Sequence, residues 1–104
     1  MPNYLRRFRR RAGFSQKEIA FLLGAFGKDE VSKHETFARK PRLATALLYE
    51  RLFGVPLREL FAGVYEEALQ ALDDRARLLA ERLQEERGAE RKRQALQALI
   101  SRIH

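Results

Sequence analysis

The sequence predicts an all-α protein: a bundle of five short helices followed by a long C-terminal helix or a helical hairpin. Three observations carry that expectation. Apolar residues recur at helical spacing through most of the chain, and no stretch alternates with period two over a useful length. Glycines at 13, 24, 54 and 63 punctuate the first half at the intervals of short helices. From Tyr65 onward the pattern changes to a narrow heptad-like stripe.

Residues 3–12 form the first expected helix, with Leu5, Phe8 and Ala12 on one face and Tyr4 beside them. Arg6, Arg7, Arg10 and Arg11 then point mostly elsewhere, and Gly13 closes the helix. Ser15 begins the second helix. Glu18 stands three residues on, so S-x-x-E makes a capping box, and Ile19, Ala20, Leu22 and Leu23 follow at helical spacing up to Gly24. The third helix runs from Lys28 to Glu35 with one clearly apolar inward residue, Val31. A helix with so little to bury is held by its neighbours, and its polar face is left free to recognise something. A DNA major groove is wide enough to admit such a helix. Pro41 suits the first turn of a fourth helix, in which Leu43, Ala46, Leu47, Tyr49 and Phe53 continue to Gly54. A fifth begins near Pro56 with Leu57, Leu60 and Phe61 inward, and Gly63 marks a joint.

Tyr65, Leu69, Leu72, Ala76, Leu79 and Leu83 make the stripe of a helix of about 22 residues, some 33 Å long. The charged segment 84–94, with Gly88, interrupts it. Leu96, Leu99, Ile100 and Ile103 give a second apolar face in a different phase. One bent helix and a hairpin both fit.

Charge is distributed unevenly. Residues 1–64 hold 13 Lys+Arg against 6 Asp+Glu, and residues 65–104 hold 8 against 8, so the whole excess of +7 sits on the five-helix part. That asymmetry is a footprint for a polyanion. The composition also narrows the function classes. There is no cysteine, so no disulfide framework or thiolate metal site is available, and two histidines do not make a metal site. No apolar run spans a bilayer, and no apolar segment follows the basic N-terminal residues as a secretory signal would require. The serines and histidines form no nucleophile–base set and no glycine-rich phosphate loop is present, so an enzyme is not expected, nor a cofactor. A cytoplasmic protein is expected.

These blocks in order carry a family resemblance. GFSQKEIAFLLG (13–24), Val31-Ser32 with Glu35, Pro41, and FGVPLRELF (53–61), with Arg9 in the first helix, resemble the Cro/C1-type, XRE-like helix-turn-helix regulators. The similarity covers residues 5–61, a little over half of the chain. It implies a lambda-repressor-like DNA-binding bundle over residues 1–63, with residues 64–104 as an arm. By position, it implies that Lys28, Asp29, Ser32 and Lys33 face bases and that Gln16 holds a phosphate. Lys17, Arg39, Lys40 and Arg42 join it along the backbone, and Arg9 and Glu35 form a bracing ion pair. The residue chemistry agrees: Lys donates to guanine O6 and N7, Asp accepts from cytosine N4, and free N–H groups at a helix start suit a phosphate. The chain departs from the family pattern in three places. The turn between Gly24 and Val31 is one residue longer, Phe37-Ala38 replaces a polar-Gly pair, and Glu50 replaces a buried Ala. Glu50 is expected either at the rim against the arm or paired with an arginine.

The expected partner is double-stranded DNA. The expected function is sequence-specific transcriptional regulation, as a repressor bound to a palindromic operator as a homodimer. Leu72, Leu79, Leu83, Leu96 and Ile100 are the expected dimer contacts. The competing reading is an antitoxin-like protein whose arm binds a protein partner and whose DNA binding is autoregulatory.

Overall fold

A computed structural model describes residues 3–25 and 27–104. It is all-helical, with no strand among the described residues. Among the described residues seven helices follow in order: α1 (Leu5–Ala12), α2 (Gln16–Leu23), α3 (Lys28–Glu35), α4 (Leu43–Phe53), α5 (Leu57–Leu60), α6 (Ala62–Leu83) and α7 (Glu90–Ile103). Five short helices precede two longer ones, and the C-terminal segment is a hairpin rather than one bent helix. The chain divides into two compact units, one ending at Tyr65 and the other running from Glu66 to His104.

The core of the first unit is Leu5, Ile19, Ala20, Val31, Tyr49 and Leu60, one or two residues from each of the five helices. Phe8, Leu23, Leu52, Phe53 and Phe61 pack around it, half-buried. Burial of each large apolar side chain is worth about 1.5–3 kcal/mol, so this cluster is what sets the helices against one another. Tyr49 stacks on Phe53 at 6.2 Å, and Phe8 meets Phe53 at 6.3 Å, which ties α1 to α4.

Three expectations are corrected here. The first helix begins at Leu5, not at residue 3. Asn3 is buried instead, and its Oδ1 accepts the Leu5 amide at 3.1 Å, because a short polar side chain satisfies a free helix N–H better outside the helix than in it. Gly63 is not a joint: it is the second residue of α6. The inward face of α4 is Tyr49 with half-buried Leu52 and Phe53, while Leu43 (73% exposed) and Leu47 (49%) face solvent. The helical repeat of 100° per residue places 43 and 47 together, but away from 49 and 53.

The second unit is thin. Asp73, Ala76, Leu83 and Ala89 are its buried residues. The turn from α6 to α7 is closed by Arg93, whose guanidinium donates to the Leu83 carbonyl at 2.7 Å and the Glu86 carbonyl at 3.1 Å, satisfying acceptors that the end of α6 leaves free. Gly88 in that turn has φ +75°, a left-handed conformation that favours glycine. At the other end of the hairpin His104 and Arg77 both reach Asp73, each at 3.2 Å.

Candidate nucleic-acid interface

α3 is polar on both sides, and the two sides do different work. Inward it presents Val31, His34 and Glu35, all buried. Outward it presents Lys28, Asp29 and Lys33, all exposed, with Ser32 half-buried beside them. The helix has no side-chain N-cap, since Gly27 precedes it. At its other end the Thr36 hydroxyl donates to the Ser32 carbonyl at 3.1 Å. Propensity alone does not hold eight such residues in a helix; its inner contacts do.

Glu35 is the centre of those contacts. Its side chain is 1% exposed. One carboxylate oxygen accepts from Arg9 Nε at 2.6 Å, and the other accepts from Arg9 Nη2 at 3.2 Å, Gln16 Nε2 at 3.1 Å and Arg6 Nε at 3.5 Å. One side chain of α3 is thereby bound to α1 and α2 together. Burial alone would raise the Glu35 pKa, but the hydrogen bonds from Arg9, Gln16 and Arg6 and the Arg9 charge outweigh it and hold the carboxyl below its usual range.

His34 makes the second bond of α3 to the core. Its Nδ1 and the Tyr49 hydroxyl share a hydrogen bond of 2.9 Å, and the rings meet edge to face at 5.7 Å. Burial lowers the His34 pKa, with a raising contribution from Glu30 and a lowering one from Arg39. The same burial pushes the Tyr49 phenol up, with Glu35 and Glu30 adding to it. Asn3 Nδ2 donates to the His34 carbonyl at 2.9 Å, closing the C-terminal end of the helix.

The outward residues are held in place but otherwise unengaged. Among the described residues, Lys28, Asp29 and Lys33 make no ion pair, nor do Lys17, Arg39, Lys40 and Arg42, all of them exposed. The Arg39 amide donates to the Lys33 carbonyl at 3.2 Å, which fixes the loop after α3. Phe37 in that loop has φ +60°, left-handed for a non-glycine residue, and Lys40 Nζ lies 6.0 Å from its ring centroid. The capping box of α2 is complete: the Ser15 hydroxyl accepts from the Glu18 amide, and Glu18 accepts from the Ser15 amide. The lengthened turn before α3 contains Phe26, which lies outside the described residues.

A family model described as helix-turn-helix, of Cro/C1 type, matches residues 5–60, more than half of the chain. The chain belongs to that family. No curated protein and no solved structure matches it. As a member of the family, the protein is a DNA-binding transcriptional regulator of the XRE type. The family is not typically enzymatic. Among the described residues no helix is long and apolar enough to cross a membrane.

Several residues that matter to this regulator escaped the sequence reading. Asn3 lies outside the first helix and its side chain accepts the Leu5 amide; Asn just before an apolar helical run is a capping signal. Arg6 points away from the apolar face of its helix, as its spacing predicts, but it reaches Glu35, which the spacing does not show. Glu50 pairs with no arginine among the described residues: its carboxylate accepts from the Leu57 amide at 2.8 Å, and so caps α5. No sequence signal announced that cap, because residue and helix lie seven positions apart.

The arm falls outside the family match. Its named apolar residues divide into two groups. Leu83 is 6% exposed, and Leu96 and Ile100 are half-buried. Leu72 (42%) and Leu79 (43%) stand exposed, and a shallow groove lined by Leu79, Leu83, Lys92, Ala95 and Leu96 opens between α6 and α7.

Proposed function

We propose that the protein is a sequence-specific repressor that binds a two-fold symmetric operator as a homodimer, in the cytoplasm. Residues 1–63 would serve as the reading domain and residues 64–104 as the dimerisation arm. The observation that carries the reading is the two-sidedness of α3. Buried Val31, His34 and Glu35 fix the helix, while Lys28, Asp29, Ser32 and Lys33 are left to meet base edges. Lys17, Arg39, Lys40 and Arg42 flank them as phosphate contacts. Gln16 joins that set even with Glu35 as its partner, because a carboxamide carries two N–H donors and one remains. If these groups and the α1 arginines neutralise about four to six phosphates per dimer, the log–log salt slope is roughly −4 to −5.

The case for a dimer rests on the thinness of the arm. A unit of fewer than about 40 residues generally needs disulfides, a metal or a partner to be stable. This unit has no cysteine and four buried residues, one of them an aspartate. A second copy would bury Leu72 and Leu79 and complete a four-helix bundle. A two-fold symmetric site read by such a dimer would present its half-sites about one DNA turn apart, roughly 34–36 Å.

The test is selection of bound duplexes from a random pool, with light scattering on the same protein. A two-fold symmetric consensus and a dimer at tens of micromolar (roughly) are expected. No enrichment sinks the base-reading assignment. A monomer sinks the homodimer and points instead to a protein partner on the arm, as in the antitoxin-like reading.

A further inference from the structure

A helix at the surface of a folded unit turns its polar side outward, and α2 does not. Its inner face is Ile19, Ala20 and Leu23. At 100° per residue, Lys17, Glu18 and Phe21 fall on the opposite face. Phe14, just ahead of the Ser15 cap, joins them: Phe14, Lys17, Glu18, Phe21 and Leu22 line one shallow hollow. Phe14, Phe21 and Leu22 are exposed, and Phe21, at 84%, is the most exposed large apolar side chain among the described residues. The charges beside the rings are free as well. Among the described residues Lys17 and Glu18 make no ion pair. Glu18 spends one carboxylate oxygen, Oε1, on the Ser15 amide, which leaves Oε2 for another donor.

Two facts say what the hollow takes. The first is the order of its residues. Outward from the midpoint between positions 17 and 18 come Lys17 and Glu18, and three positions further on either side come Phe14 and Phe21. Turned end for end about that midpoint, the pattern is its own complement. Two α2 helices packed antiparallel set Phe14 of each copy on Phe21 of the other, and Lys17 of each on Glu18 of the other. That is the form of an isologous two-fold contact, in which residue i meets j and j meets i. Parallel packing also stacks the rings, but it sets Lys17 against Lys17 and Glu18 against Glu18, and like charges disfavour it.

The second fact is area. Two rings and a leucine expose on the order of 300 Å² per copy, where a stable complex buries about 800 Å² per partner. The contact is therefore weak, with a dissociation constant on the order of 0.1–1 mM. It is open at micromolar concentration and closes between copies gathered on a shared scaffold such as one long duplex, where effective concentrations are on the order of millimolar.

We infer that the outward face of α2 is a contact surface for α2 of a second copy, formed by antiparallel pairing of the two hollows. The contact belongs to the first unit and does not depend on the arm. It also leaves Lys17 with donors for a phosphate, since an ammonium carries three.

The experiment uses the full chain, which has no cysteine, so an introduced thiol is the only one present. Phe14→Cys and Phe21→Cys are prepared separately and oxidised at about 1 mM, alone and mixed, a concentration at which a contact of this strength is populated. Antiparallel pairing brings position 14 of one copy to position 21 of the other. Like positions then stand about 10 Å apart along the helices, beyond the reach of a disulfide. A mixed pair also keeps one Phe14–Phe21 contact and both Lys17–Glu18 contacts. The mixed disulfide is expected in at least about tenfold excess over either like pair. Sedimentation gives the second reading, in the Leu72→Glu, Leu79→Glu background that removes the proposed arm contact. There Phe21→Gln should weaken self-association at least about tenfold, because each pair loses two rings. Phe21→Gln should leave the melting temperature and the affinity for a short random-sequence duplex unchanged, which separates failure of this contact from failure of the α3 reading. A purely statistical mixture of disulfides overturns the proposal. An excess of like pairs overturns it too, as does an association that Phe21→Gln leaves untouched.

Discussion

Residues up to Tyr65 and residues 66–104 are both built of helices, but they are stabilised by different means. The first unit has an interior contributed by all five of its helices, and a buried carboxylate held by three side chains from two others of them. The second has four buried residues, several exposed leucines and no net charge. The first has done its folding work internally, so its outward charges are free for DNA. The second leaves Leu72, Leu78 and Leu79 exposed. The comparison separates what the fold needs from what the function needs, and each region can be tested on its own terms.

The largest effect is expected at Glu35. Glu35→Ala leaves Arg9, whose side chain is 11% exposed, without its anion, and truncating one partner of a buried pair costs about 3–5 kcal/mol. For a unit of this size that is roughly 12 °C or more in melting temperature. Melting of Glu35→Ala, Arg9→Ala and the double variant measures the coupling directly. Simple additivity would mean that the first unit is not braced by this pair. The oligomeric state should not change.

The converse holds for the arm. Leu72→Glu with Leu79→Glu places charge on a surface that a second copy would bury, at about 2 kcal/mol or more for each residue. The dimer constant should weaken by at least roughly 30-fold per substitution, while the melting of the first unit stays within a degree or two. Sedimentation and thermal melting read the two effects separately. A dimer that survives both changes places the interface elsewhere.

The first unit was more legible than the second, and the reason is local chemistry. Helix two announced itself through Ser15, Glu18 and Gly24, where capping and turn residues act within a few positions. What escaped was contact at long sequence separation: Arg6 to Glu35, Asn3 to His34, and the half of α4 that turns to solvent at Leu43 and Leu47. A helical stripe says which residues share a face but not which face is covered. In the arm the same ambiguity left one helix and a hairpin both open. The carbonyl-binding side chain of Arg93, which closes the hairpin turn, has no sequence signature.

A smaller effect sharpens the account of the loop that follows α3. Phe37 adopts φ +60°, which costs an L-residue about 1–2 kcal/mol. Phe37→Gly removes that strain but gives up part of the gain to backbone entropy, about 0.5–1 kcal/mol, and loses the contact of Lys40 with the ring. A net stabilisation of up to about 1 kcal/mol is expected in denaturant melts. Clear destabilisation would show that the ring is a structural part of the first unit.

The smallest effect is the pH dependence of the first unit, and it tests whether His34 is a neutral structural group. Burial lowers its pKa, and the groups that face it are Tyr49, which shares its hydrogen bond, Glu30, which opposes the shift, and Arg39, which adds to it. A histidine with a folded pKa below its unfolded value of about 6.5 is neutral in the fold and takes up a proton on unfolding. Its contribution is therefore fully present above about pH 6.5 and is lost as pH falls through that value toward the folded pKa. Glu35 is lowered too, so its contribution is present above its ordinary carboxylate range and is lost only at more acid pH. The two groups act in different windows. Between about pH 7.5 and 5.5 the wild-type melting temperature should decline, and His34→Gln, which keeps a polar group beside Tyr49 but does not titrate, should flatten that decline while lowering stability at pH 7.5. Below about pH 4.5 both proteins should lose stability together as the Glu35 carboxylate is protonated. Equal slopes for the two proteins between pH 7.5 and 5.5 would mean that the acid sensitivity of the first unit comes from carboxylates alone. The bond between α3 and Tyr49 would then hold irrespective of the charge on the imidazole.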